Sequence, residues 1–144
     1  MGQWSKILVG VDGSPASRTA LGWAADEAVR HNSELTLLTA YLAPAPPPSG
    51  LSATLSAHET TDHGEAAKGL LMDSVRDVIG EDPPFVVQPR VKEGNAAKLL
   101  IDLSEDADLV VVGSRGHGGF AGMLLGSVSQ NVAAHAKCTV VVVR

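Results

Sequence analysis

The residues best placed to do chemistry lie in one stretch, Leu109 to Ser129, which reads LVVVGSRGHGGFAGMLLGSVS. Gly113, Gly116, Gly118, Gly119, Gly122 and Gly126 put six glycines into fourteen positions, more than a simple turn needs. Glycines ahead of a helix let the main chain take positive φ and approach a ligand closely. The first N–H groups of that helix lack internal partners and carry the positive end of its dipole, so they converge on an anion. The pattern predicts phosphate recognition by backbone, with Ser127 adding a hydroxyl donor. Arg115, and His117 when protonated, would neutralise charge there. A flexible surface loop with a serine cap is the plainer alternative.

The flanks supply what such a loop requires. Leu109 to Val112 is a short uncharged run that suits a strand buried on both faces. Val128, Val132, Ala133 and Ala136 recur at helical spacing, which starts a helix at or beside Ser127. Two common phosphate motifs do not fit. No Gly-Lys pair occurs, so there is no Walker loop, and no helix pattern opens at Gly116-x-Gly118-x-x-Ala121, so there is no dinucleotide fingerprint.

Upstream, Lys6 to Val11 reads as a first strand ending at Asp12-Gly13-Ser14-Pro15, where Ser14 can cap and Pro15 can open a helix. Leu21, Ala24, Ala25 and Ala28 form its apolar face. Asp12 stands at the carboxyl end of that strand, where open α/β sheets bind ligands; turn chemistry explains it equally well. Glu34 to Tyr41 is a second strand. A proline-rich excursion at 43–57 follows, with Pro44, Pro46, Pro47 and Pro48 favouring extended backbone. Glu65 to Ile79 makes a second helix. His58, Asp62, His63 and Glu65 at its start lack metal-ligand spacing and read as a solvated helix start. Phe85 to Val91 is a third strand, placed at an edge by Pro89. Asn95 opens a third helix with Ala96, Leu99, Leu100 and Leu103 on one face, and Thr139 to Arg144 closes the chain as a fifth strand.

Composition narrows the function classes. The 144 residues make one domain, 1–144, with a core built from aliphatic residues because aromatics are only 3%. A net charge of −5 argues against a nucleic-acid or anionic-membrane surface. The start of the chain lacks a secretory leader pattern, and the single Cys138 cannot form an internal disulfide, so a cytoplasmic location is expected. Cys138 itself reads as a small buried hydrophobe rather than a reactive thiol.

Written as a spacing, the loop is Gly113-x-x-Gly116, nine residues, then Gly126-Ser127. Here the chain resembles the universal stress protein family, in its ATP-binding branch with the signature G-x-x-G, nine residues, G-[S/T], and the likeness runs from Ile7 to Val143. The resemblance implies an α/β fold: a doubly wound five-stranded parallel sheet in the order 3-2-1-4-5 with helices on both faces, Rossmann-like and of the adenine nucleotide alpha hydrolase type. It implies ATP, with Mg²⁺, as the ligand. Asp12 would lie beside the adenosine, the backbone of Ala40 against the adenine where valine is more usual, and Gly113 near the ribose. The phosphates would pass over Gly116 to Ser129, reaching Gly126, Ser127 and Val128.

The last strand, Val140, Val141, Val142 and Val143, is an uncharged sheet edge of the kind that invites pairing. Family members commonly pair it with a symmetry mate, so a homodimer is implied. The function implied is a nucleotide-dependent stress-response regulator. Slow ATP hydrolysis or phosphoryl or adenylyl transfer at the same cleft is the enzyme alternative, and a dimer that takes AMP or cyclic AMP, or no nucleotide, is the third.

Overall fold

A computed structural model describes residues 3–43, 63–116 and 125–144. Most of the proline-rich excursion lies outside these residues, as do His58, Asp62, His117, Gly118, Gly119 and Gly122. The order of elements is β1 (Lys6–Gly10), α1 (Pro15–His31), β2 (Glu34–Tyr41), α2 (His63–Val78), β3 (Val87–Glu93), α3 (Ala96–Leu103), a short 3₁₀ turn (Ser104–Asp106), β4 (Leu109–Gly113), α4 (Ser127–His135) and β5 (Thr139–Val143). The five strands form one parallel sheet in the order β3-β2-β1-β4-β5, as the resemblance implies.

Strand alternation divides the core in two. Ile7, Val9, Leu35, Leu37, Leu109 and Val111 face one way and pack with Ala20, Leu21, Ala24 and Ala28 of α1 and Leu71 of α2. Leu8, Leu38, Val110 and Val112 face the other way, under Ala97 and Leu100 of α3 and Val132 of α4. β1 and β4 are covered on both faces, which is why their sequences are almost continuously aliphatic. Right-handed crossovers send α1 and α2 to one face and α3 and α4 to the other, reversing direction between β1 and β4.

Local signals set the helix ends. Ser14, in extended conformation, accepts the Ser17 N–H at 3.2 Å ahead of Pro15, and Asn95 accepts the Lys98 N–H at 3.0 Å. Asn32 ends α1 in the left-handed conformation, φ 53°. The apolar faces differ in detail from the periodicity. Ala25 is only partly buried, Ala97 takes the seat expected of Ala96, and Ala133 is exposed. Ser17 and Ser129 are buried although polar, because their hydroxyls find carbonyl acceptors. The ladder of β3 runs two residues later than expected, and Phe85 lies ahead of it, partly buried against the core. Pro89 does lie on an edge strand.

Candidate functional site

Where β1 and β4 lie side by side and their helices leave on opposite faces, a cleft of about 620 Å³ opens at the carboxyl ends of the strands. Open α/β sheets bind ligands at this kind of crevice. Asp12, Ala40, Gly113, Arg115, Gly116, Gly126, Ser127, Val128 and Ser129 all line it, though they come from four separate parts of the chain. Residues not singled out from the sequence as site residues complete the wall, chiefly Gly10, Ser17, Leu38, Leu42, Ala96 and Leu100. Strand parity would have pointed to Leu38, two residues before Ala40 on the same face.

The cleft is amphipathic. One end is aliphatic, made by Ala40, Leu42, Ala96 and Leu100, and the other is glycine and serine backbone. At the aliphatic end the sheet ladder runs out. The Val11 N–H donates to Leu38 O at 2.8 Å, but Val11 O accepts the Thr39 hydroxyl at 2.9 Å. Peptide groups of alternate residues point to the same side, so those of Ala40, like those of Leu38, face β1. β1 has turned away there, leaving the backbone edge of Ala40 open to the cleft.

Asp12 does perform turn chemistry: its Oδ1 accepts the Ser14 N–H at 2.8 Å, across Gly13 at φ 80°. Its Oδ2 lies against the loop, since a Cβ at Gly116 would sit 2.6 Å from it. Gly113 is glycine for another reason. It lines the cleft, yet a Cβ there would lie 2.7 Å from the backbone carbon of Ala16 and 2.9 Å from Ser17 N, so its missing side chain lets α1 press onto β4. Neither glycine uses positive φ; among the described residues the glycines that do are Gly13, Gly80 and Gly94. Close approach, rather than the left-handed conformation expected from the loop, is what these two positions require.

The far end of the glycine loop is tied to its start. Ser114 O accepts the Gly126 N–H at 2.6 Å and lies 3.0 Å from the Ser129 hydroxyl, which also reaches Gly126 O at 2.9 Å. Ser129 is 2% exposed, and its single proton is shared between these two carbonyls. This staple delivers the first turn of α4 to the cleft. α1 and α3 are capped by side chains, whereas the cap of α4 is Gly126, in extended conformation with no side chain to cover the N–H groups behind it. Among the described residues, Arg115 and Asp12 are the charged ones of the lining. Among the described residues no three His, Cys, Asp or Glu side chains gather as a metal site.

Residues 3–144 match the Universal stress protein family. A universal stress protein of Mycolicibacterium smegmatis is 40% identical over 139 residues, covering 96% of this chain and 45% of its own length. This chain thus spans about half the length of the curated relatives it matches. Among solved structures, the universal stress protein UspA from Lactobacillus plantarum superposes with a TM-score of 0.82 at 24% identity, covering 100% of each chain. A universal stress protein crystallised in complex with cAMP superposes with a TM-score of 0.70 at 30% identity, covering 99% of each chain. Sheet order, signature spacing and a match over nearly the whole length agree: this chain belongs to the universal stress protein family.

Proposed function

We propose that the cleft binds an adenine nucleotide, with Mg·ATP as the ligand, and that occupancy regulates the partners of a cytoplasmic homodimer during stress. The observation that carries this reading is the N-terminus of α4, left without a side-chain cap by Gly126 and opening onto a cleft whose other end is aliphatic and offers the backbone edge of Ala40. Phosphates suit the first end and adenine the second, with Arg115 adding charge and Asp12 meeting the nucleoside between them. The cavity lies within the range of about 300–1,000 Å³ usual for small-molecule sites. Asp12 is the single carboxylate of the described lining, so Mg²⁺ would be held mainly by the phosphates themselves.

The nine glycine-loop and strand-end residues that line the cleft form the binding site in this reading. Val140 to Val143 supply the dimer edge. Cyclic AMP is the second reading, supported by the cAMP complex formed by a 30% identical universal stress protein. Calorimetric titration of nucleotide-stripped protein with Mg·ATP, AMP and cyclic AMP tests both. Saturable binding of Mg·ATP tighter than of the other two is the expected result; preference for cyclic AMP would replace the first reading by the second, and no binding of any would end both.

A further inference from the structure

We propose that Ser17 is a positioning residue that sets the carboxylate of Asp12 for the nucleoside; the inference rests on the nucleotide reading above. Ser17 is 4% exposed, lies in the first turn of α1, and lines the cleft. In an ordinary capping box the side chain at the third helical position reaches back to the N–H of the cap residue. Here that N–H, on Ser14, is already given to Asp12 Oδ1 at 2.8 Å. The hydroxyl of Ser17 therefore reaches two residues further back and accepts the Asp12 N–H at 3.3 Å, while donating its own proton to Ser14 O at 3.2 Å. The Ser17 N–H in turn donates to Ser14 Oγ at 3.2 Å.

The box is displaced by two residues, and its effect is to hold Asp12 at two points. Ser17 holds the main chain of Asp12 and Ser14 holds its carboxylate, so both its backbone and its side-chain rotations are restricted. The device is also tied to the glycine signature. The backbone of Ser17 rests on Gly113, whose added Cβ would come within 2.9 Å of its nitrogen, so the same close approach that joins α1 to β4 seats the turn. The chemistry that this arrangement suits is a donor meeting a carboxylate held in one place, such as a ribose hydroxyl or an exocyclic amine.

The test is a double-mutant cycle read by calorimetry on the whole chain: wild type, Ser17→Ala, Asp12→Ala and the pair, each with Mg·ATP and with inorganic tripolyphosphate, which lacks the nucleoside. Alanine suits a helix and takes less room than serine, so the variants are expected to fold. Loss of one orienting hydrogen bond should weaken ATP by about tenfold. Tripolyphosphate should change by less than about twofold, and Ser17→Ala should add nothing in the Asp12→Ala background. Equal losses for ATP and tripolyphosphate would make Ser17 merely structural and overturn the inference, as would full additivity or an unchanged ATP affinity. A wild-type chain that takes no adenine nucleotide would overturn the binding reading itself, an outcome the variants cannot imitate.

Discussion

Gly126→Asp separates the proposed phosphate site from the fold. Gly126 already has cap geometry, φ −77° and ψ 170°, and an added Cβ would meet Arg115 Cα and Ser114 O at 3.5 Å, an ordinary contact. An aspartate there would cap α4 from within the chain, accepting the N–H of Val128 or Ser129. Aspartate exceeds glycine at a cap by a few tenths of a kcal/mol, and the helix dipole adds roughly 0.3–1 kcal/mol, so the ligand-free protein should be as stable or slightly more so. The nucleotide then loses what the carboxylate has taken. One hydrogen bond to a charged group is worth about 1.5–3 kcal/mol, and carboxylate against phosphate adds repulsion. A loss of about 3 kcal/mol or more is a weakening beyond about 100-fold.

Gly126→Asn is the neutral partner, taking the same N–H without the charge. The difference between the two variants isolates repulsion, which should shrink as salt is raised. The assay is calorimetric titration with Mg·ATP, beside thermal unfolding without ligand. ATP affinity within about threefold of wild type in a Gly126→Asp protein of unchanged thermal midpoint would refute the α4 terminus as the phosphate site.

Gly113→Ala should act in the opposite way. A methyl 2.7 Å from the Ala16 backbone overpacks the α1–β4 contact, at a cost of about 1–3 kcal/mol in urea unfolding, and unaltered stability would refute that contact. Val142→Pro tests the proposed dimer. The Ser114 N–H donates to Val143 O, so alternate residues Val140 and Val142 turn their peptide groups outward, and proline removes an outward N–H while sparing the β4 ladder. Sedimentation should show a wild-type dimer and a folded monomeric variant; a wild-type monomer would sink the edge-pairing reading. Burial, reinforced by nearby Asp108 and only partly opposed by a backbone hydrogen bond at Val110, raises the Cys138 thiol above its ordinary value of 9.0. Its contribution to stability is therefore full below the ordinary thiol range and fades as pH climbs through and past it. At mildly alkaline pH, iodoacetamide should react more slowly with Cys138 in native than in urea-unfolded protein; equal rates would count against the shift.

What the residues determined alone was local. Aliphatic runs without charge marked the strands, Ser14-Pro15 and Asn95 marked helix starts, and Pro89 marked an edge, because each of these effects acts within a few residues of chain. The glycine spacing singled out the loop, and through the resemblance it also brought the sheet order, since a signature spanning Gly113 to Ser127 implies the strand and helix around it. Only the tertiary structure decided why particular residues are needed. Gly113 must be glycine because the backbone of α1, almost a hundred residues earlier, lies against it, and a side chain at Gly116 would displace the carboxylate of Asp12. Ser17 and Ser129 are polar by composition and buried by circumstance: an interior hydroxyl is tolerated once an acceptor is brought to it, and the Ser114 carbonyl that serves Ser129 is fifteen residues away in sequence. Such acceptors exist only after strands and helices have docked, so neither the staple on α4 nor the displaced box on α1 could be read from the order of residues alone.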